Sequence, residues 1–184
     1  MIKSRPLYRP FTLDVSGRAH LVVTDQPELP EMVDLPSVDL EIFTVQTVSS
    51  EIEAPVDGNR RAFHAVVDLL AHLPRRLAND KIGLRIYAIG TEAFVWDVHN
   101  IARAAGLGSA EIHLTHAGSL RRRVYCAHCK TMSEDVTDNI VLCPGCGASL
   151  LVRDHFSRRL AAFMGVKVDA EIPGEIPAAE SLYQ

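Results

Sequence analysis

The four cysteines of this 184-residue chain all lie between positions 126 and 146, in two Cys-x-x-Cys pairs. A Cys-x-x-Cys turn places two sulfurs on one side of a metal ion, and two facing turns complete a tetrahedron of thiolates. Scattered cysteines would instead indicate a disulfide framework. The spacing therefore predicts one metal ion in a small ribbon-like module, bound by Cys126, Cys129, Cys143 and Cys146.

The same spacing leaves the metal open between zinc and iron. Four thiolates suit Zn²⁺, and they equally suit a single iron of the rubredoxin type. A closed zinc site has no open coordination position and would be structural, whereas an iron site would pass one electron. We expect zinc, with one iron as the alternative. His128, inside the first pair, is expected to be an exposed residue and not a ligand.

The composition is that of an ordinary globular protein, with 47% hydrophobic and 23% charged residues. No apolar run approaches the roughly 20 residues needed to span a bilayer, and the polar first ten residues do not form a secretory signal. These features predict a cytoplasmic protein without a membrane segment. The net charge of -4 is uneven, because residues 119–167 carry eight Lys or Arg against four Asp or Glu. A basic region of this kind often faces an acidic partner.

Residues 1–118 are predicted to form an α/β module. Its start, residues 1–58, is strand-rich and interrupted by a connection rich in proline and acidic residues. Helical spacing of apolar residues predicts helices near 60–73, ended by Pro74, and near 92–105, capped by Thr91. Strands predicted at 84–89 and 111–115 alternate with these helices. This alternation predicts a parallel sheet covered by helices.

Residues 119–168 are predicted to form the four-cysteine ribbon and a terminal helix. Short strand-like stretches at 124–125, 140–142 and 150–152 accompany the cysteine pairs. Asp154 is a candidate cap for a helix with Phe156, Leu160 and Phe163 on its inner face, ended by Gly165. Residues 169–184 are acidic, contain prolines and show no periodicity, so they are predicted to be a flexible tail.

The central part of the chain resembles the end of the nucleotide-binding module of ferredoxin reductases. The similarity covers residues 85–98, Gly106 and residues 111–114. In that family a strand ends in a Cys-Gly-Pro step and a helix begins near a phenylalanine; here Gly90 and Phe94 are kept. The resemblance implies a three-layer reductase-like module. No Gly-rich phosphate-binding turn is present, so we expect a degenerate module that binds no nicotinamide cofactor.

Nearly the whole chain, including residues 121–130 and the Cys143-Pro-Gly-Cys146-Gly-Ala-Ser-Leu-Leu run, resembles the small accessory subunit of bacterial dimethylamine monooxygenase. That resemblance implies two partners, a haem-bearing catalytic subunit and a reductase subunit with FMN and a 2Fe-2S cluster. The complex would use NADPH and O2 to demethylate dimethylamine to methylamine and formaldehyde. This chain would be its structural or electron-relaying subunit, with no catalytic centre and no cofactor other than its metal.

Two further functions are considered from the residues. A zinc ribbon can bind nucleic acid or another protein, and this one has six arginines for phosphates: Arg121, Arg122, Arg123, Arg153, Arg158 and Arg159. The acidic chain and the scarcity of aromatic residues in the ribbon argue against nucleic acid. A thiol redox enzyme would use a single Cys-x-x-Cys, whereas two pairs at ribbon spacing favour metal.

Overall fold

The computed structural model describes residues 4–26, 39–46, 59–79 and 82–184. These residues form two compact units. One contains Tyr8–Gly118, and the other contains the N-terminal residues up to Leu7 together with Ser119–Gln184. The proline-rich connection predicted around residues 27–36 lies outside the described residues. Neither helix in the described ranges has the length and apolar character needed to cross a membrane.

The first unit contains a five-stranded parallel sheet. Its strands are β1 (Ala19–Thr24), β2 (Leu40–Val45), β3 (Arg60–Phe63), β4 (Leu84–Gly90) and β5 (Ile112–His116). They lie in the order β3-β2-β1-β4-β5, and every neighbouring pair is parallel. The predicted α/β class with a parallel sheet is confirmed.

Two helices pack against this sheet and against each other, α1 (Val66–Leu77) and α2 (Glu92–Ala104). Helix α1 buries Leu69, Leu73 and Leu77, which recur every four residues. Elsewhere on the sheet, Phe11 and Leu13 of the N-terminal segment pack against a buried cluster that includes Tyr87. Within the described residues, the sheet is thus covered by these two helices and by the segment around Phe11 and Leu13.

The prediction of a helix over 60–73 is wrong at both ends. Residues Arg60–Phe63 form the edge strand β3, which pairs with β2. The helix begins only at Val66 and continues through Pro74 to Leu77. Pro74 is exposed and lacks the N–H that would close one turn, but the burial of Leu73 and Leu77 on either side keeps the helix continuous.

The second unit contains a mixed five-stranded sheet. Its strands are β6 (Arg122–Cys126), β7 (Met132–Val136), β8 (Ile140–Leu142), β9 (Ser149–Ser157) and β10 (Ala162–Lys167). They lie in the order β7-β6-β10-β9-β8. β10 runs parallel to β6, whereas the other neighbouring pairs are antiparallel. The last strand in sequence therefore occupies the centre of the sheet.

The predicted C-terminal helix is wrong. Asp154 and Phe156 lie in β9, and Phe163 lies in β10. Phe163 is the antiparallel partner of Phe156, and their rings meet edge to face with centroids 5.0 Å apart. The apolar spacing that suggested one helical face therefore arises from a cross-strand pair.

The tail predicted to be flexible ends in a docked segment. Ser181 forms an antiparallel bridge with Asp138, and the backbone N–H of Tyr183 donates to the carbonyl of Thr137 at 2.8 Å. The Tyr183 ring is buried and lies 3.8 Å from the guanidinium carbon of Arg122. Residues 170–182 are exposed, but the end of the chain is held against its own sheet.

Candidate metal centre

The two Cys-x-x-Cys turns bring their four sulfurs together. Cys126 ends β6, and Cys143 follows β8. All four Sγ atoms lie within 4.8 Å of one another, with Cys126 3.9 Å from Cys146 and Cys129 3.4 Å from Cys143. A tetrahedral zinc with Zn–S bonds of about 2.3 Å needs sulfurs about 3.8 Å apart. The four predicted ligands therefore form a set that can hold one metal ion.

Both turns have the same backbone hydrogen bonds. The Cys126 N–H donates to the carbonyl of Thr131 at 2.9 Å, and the Cys143 N–H donates to that of Ala148 at 2.9 Å. In each turn, the N–H four residues after the first cysteine donates back to that cysteine's carbonyl, at 3.0 and 2.9 Å. The two halves of the site are therefore structurally equivalent turns, each presenting two sulfurs.

The glycines of the second turn have different roles. Gly147 has φ +71°, and Lys130 at the equivalent position of the first turn also has φ 71°. Gly145 is not among the residues with positive φ. Its constraint is space, because a Cβ there would lie 2.1 Å from Thr131 Oγ1 and 3.1 Å from Cys129 Sγ. Gly145 thus makes room for the threonine hydroxyl.

The four cysteines differ in burial. Cys126 and Cys143 are buried at 0% and 2% exposure, within a cluster that includes Leu150. Cys129 is partly buried, and Cys146 is exposed. His128 is exposed beside the site, and the potential metal-binding group in the described residues consists of the four cysteines. The first cysteine of each turn therefore faces the core, and Cys146 faces solvent.

Two thiols have strongly different pKa values. Hydrogen bonds from the Thr131 hydroxyl and backbone N–H lower the pKa of Cys129 to about 6. The Ala148 N–H lowers the pKa of Cys146, but partial desolvation of its sulfur and the neighbouring thiols raise it to about 11. A bound divalent cation would favour the thiolate form of every ligand. The protein itself already favours the thiolate at Cys129.

A second polar arrangement lies where β1 and β4 end, and the sequence did not predict it. Asp25 accepts hydrogen bonds from the Thr91 hydroxyl at 2.6 Å, the Thr91 N–H at 3.2 Å and the Gln26 side-chain amide at 2.6 Å. Thr91 is the predicted N-cap of α2, but its hydroxyl makes no capping bond within the helix. The hydroxyl and the N–H of Thr91 instead donate to the carboxylate of Asp25. The sequence feature that could have indicated this contact is the position of Asp25 directly after the buried strand β1.

This carboxylate occupies a position that parallel α/β proteins commonly use for anions. Ligands of such sheets bind outside the carboxyl ends of the strands, and a helix N-terminus there attracts phosphate. Here the N-terminus of α2 already receives Asp25. Gly90, at the end of β4, packs so closely that a Cβ would lie 2.0 Å from Asp25 Oδ1. The arrangement is filled by the protein's own side chain.

The arginines proposed for phosphate contact are partly engaged elsewhere. Arg122 is 4% exposed, lies 2.8 Å from Asp154 and is stacked on Phe163 at 3.9 Å. Arg123 Nε lies 2.7 Å from Glu134. Arg122 is therefore a structural residue of the second sheet, and Arg123 forms an ion pair on the neighbouring strand.

The fold and the site define a class: an α/β protein with a parallel sheet that also carries a four-cysteine ribbon. Two family models match this chain. "Dimethylamine monooxygenase subunit DmmA-like, N-terminal domain" matches residues 41–112, and the C-terminal domain of the same family matches residues 123–166. Together they cover more than half of the chain. The chain therefore belongs to the DmmA-like family.

One curated relative is the "Heme-dependent oxidative N-demethylase delta subunit" of Ectopseudomonas mendocina (strain ymp). It is 42% identical over 111 residues, which are 60% of this chain and 63% of the relative. Among solved structures, phthalate dioxygenase reductase, described as modular for electron transfer from pyridine nucleotides to [2Fe-2S], is similar with a TM-score of 0.47. That match has 13% identity and covers 70% of this chain and 47% of the reductase.

Proposed function

We propose that this chain is an accessory subunit of an oxidative N-demethylase that acts on dimethylamine. The observation that carries the proposal is membership of the DmmA-like family, supported by the relative named as a delta subunit. The overall reaction consumes NADPH and O2 and yields methylamine and formaldehyde. In this proposal the chain supplies no catalytic group, and its partners are a haem-bearing catalytic subunit and a reductase subunit with FMN and a 2Fe-2S cluster.

Omission of the chain tests this role. The complex would be reconstituted from purified subunits with and without the chain, and NADPH consumption, formaldehyde production and assembly would be measured. We expect activity to be lost, or the complex to dissociate, when the chain is left out. Full turnover and normal assembly without the chain would show that it is not a required subunit.

For the metal, we propose one zinc ion held by Cys126, Cys129, Cys143 and Cys146. The sulfur spacing suits it, and four thiolates leave no open position, so zinc would fix the two turns without reacting. One iron is the alternative, and the exposure of Cys146 favours it, because an electron-transfer partner can approach that sulfur. Elemental analysis and an absorption spectrum of the subunit from its native host distinguish the two.

For the α/β unit, we propose that it has lost nicotinamide binding and serves as a docking module. The Asp25 carboxylate at the N-terminus of α2 supports this, since a pyrophosphate there would meet a negative charge. Calorimetric titration of the chain with NADPH and NADH should show no saturable heat. Saturable binding of either cofactor would refute this part of the proposal.

A cytoplasmic location accompanies the proposed function and suits four cysteines without disulfides. A nucleic-acid-binding ribbon is the competing function. The ion pairs of Arg122 and Arg123 weaken it, because those cations already have carboxylate partners. Fluorescence anisotropy with labelled DNA and RNA should show no salt-sensitive binding near physiological ionic strength.

A further inference from the structure

The two turns of the metal centre differ at one pair of equivalent positions. Thr131 and Ala148 each follow a second cysteine by two residues, and each accepts the N–H of the first cysteine at 2.9 Å. Only the first turn has a hydroxyl at this position, and Thr131 Oγ1 lies 3.2 Å from Cys129 Sγ. Otherwise equivalent turns therefore give their second cysteines different partners. The Cys129 thiol donates to the Thr131 hydroxyl, and that hydroxyl can donate in turn once Cys129 is a thiolate on a metal.

The rest of the site accommodates this hydroxyl. Gly145 leaves open the volume that Thr131 occupies, since a Cβ would approach Oγ1 to 2.1 Å and the threonine Cβ to 2.9 Å. By contrast, nothing lies within 4 Å of a Cβ built at Gly147. Cys146 is thus exposed and flanked by two residues without side chains, and among the described residues it has no hydroxyl partner.

From this difference we infer that Thr131 makes the two halves of the metal site unequal: its hydroxyl holds Cys129 on the metal, and Cys146 is the ligand that detaches first. The inference rests on the proposed metal binding by the four cysteines. A hydrogen bond to a ligand orients it, and losing such outer contacts typically costs 10–100-fold in metal affinity. Cys126 and Cys143 are buried, so solvent and reagents reach them last.

A cysteine that has left the metal is the one that reacts with an alkylating agent. An alkylating agent such as iodoacetamide forms a bond between the sulfur and its carbon, and iodide leaves with the bonding electrons of the C–I bond. The thiolate is the nucleophile and the reagent must reach it, so a ligand that leaves the metal and enters solvent is attacked before the ligands that stay on the metal. Cys146 is therefore the predicted first site of alkylation and the opening step of metal loss.

The test uses the full chain loaded with one zinc, as verified by elemental analysis. Wild type, Thr131→Val and Thr131→Ser would be treated with less than one equivalent of iodoacetamide, and the labelled cysteines mapped by mass spectrometry. Zinc affinity would be measured by competition with a chromophoric chelator. Valine keeps the shape of threonine without the hydroxyl, whereas serine keeps the hydroxyl, so the pair isolates the hydrogen bond.

We expect wild type and Thr131→Ser to be labelled at Cys146 several-fold more than at Cys129. In Thr131→Val the two should be labelled nearly equally, and zinc affinity should fall by about 10-fold. Unchanged labelling and affinity in Thr131→Val would overturn the inference and show that exposure alone selects Cys146, while leaving the metal site intact. Failure of wild type to bind any metal would refute the proposed metal centre itself.

Discussion

The carboxylate of Asp25 fixes the start of helix α2 by accepting both the hydroxyl and the backbone N–H of Thr91, at 2.6 and 3.2 Å. The two residues are 66 positions apart in the chain. This contact links the end of β1 to the helix that follows β4. It therefore anchors the N-cap residue through tertiary structure, whereas a side-chain cap is a local contact with the N–H of the second or third helical residue.

Replacing Asp25 with alanine is expected to destabilise the α/β unit by about 1–3 kcal/mol, because the Thr91 donors lose a charged acceptor. Urea denaturation followed by far-UV circular dichroism measures the change. Asp68→Ala is the matched control, since Asp68 lies in the first turn of α1 but is exposed. Equal losses in the two variants would mean that the Thr91 contact adds nothing beyond a general charge effect.

Gly90→Ala is expected to destabilise the same unit, because its Cβ would lie 2.0 Å from Asp25 Oδ1. In the Asp25→Ala background the conflict with Oδ1 is relieved, while the approach to Phe94 Cδ1 at 3.0 Å remains. The double variant should therefore lose less than the sum of the single losses. Gly108→Ala is the control, as its Cβ would meet only the Glu111 side chain, 3.3 Å from Oε2 and 4.0 Å from Cδ. Strict additivity at positions 25 and 90 would contradict the proposed contact.

The four-cysteine cluster was predictable from sequence because each ligand pair is local. A Cys-x-x-Cys turn brings two sulfurs together with only two intervening residues, so Cys126 and Cys129 need no long-range information. The parallel sheet was predictable from the alternation of strands and helices. In contrast, the contact between Asp25 and Thr91 depends on which strands are neighbours, and β1 lies beside β4 only in the folded sheet.

The failed C-terminal helix has a similar physical reason. Phe156 and Phe163 are seven residues apart, which places them on one face of a helix as readily as on two paired strands. The strand arrangement is favoured over the helix because β10 lies between β6 and β9 and supplies both with backbone hydrogen-bond partners. Such pairing satisfies more backbone groups than a short isolated helix, and a single sequence does not reveal it.

Acid is expected to destabilise the α/β unit through His113. Its ring stacks on Tyr87 with centroids 4.8 Å apart, and burial lowers the pKa of His113 below its ordinary value of 6.5. The folded state thus binds a proton less readily than the unfolded state, so stability is full above about pH 6.5 and falls as pH drops below it. Asp14 favours the protonated form, while Arg85 and His20 oppose it.

His113→Phe tests this pH dependence, because phenylalanine keeps a ring on Tyr87 and cannot titrate. Stability measured by urea denaturation between pH 5 and pH 7.5 should decline less steeply in the variant than in wild type. Some dependence of stability on pH should remain in the variant, since burial and Arg61 also lower the pKa of His72. His64→Phe, at an exposed position, is the control. If stability depends on pH equally in wild type and His113→Phe, His113 does not contribute to the acid destabilisation.

The docked end of the chain should depend on its aromatic anchor. The Arg122 guanidinium lies between the rings of Phe163 and Tyr183, at 3.9 and 3.8 Å. Tyr183→Ala should release the terminal segment and destabilise its unit by roughly 1–2 kcal/mol or more, through loss of the cation–π contact and of buried area. Tyr183→Phe keeps the ring and should behave as wild type. Limited proteolysis should cleave near residue 180 faster in Tyr183→Ala than in wild type, and at the wild-type rate in Tyr183→Phe.

Metal removal is expected to unfold the ribbon unit and leave the α/β unit folded. The ribbon is small, and its cysteine cluster sits at the ends of β6 and β8, so bound metal supplies part of its folding free energy. The α/β unit contains no cysteine and has its own buried sheet core. Hydrogen exchange with and without a chelator would compare amides of β6 with those of β4.

Protection should be lost in β6 and retained in β4 after chelation, and zinc should restore it. Cys143→Ser should show the chelated pattern even with zinc present, because a buried ligand is replaced by a poorer one. Cys146→Ser, at the exposed position, should lose less protection, since three thiolates and solvent can still surround the ion. Loss of protection in both units would mean that the α/β fold depends on the metal centre, and loss in neither would mean that the ribbon's strands are stable without it.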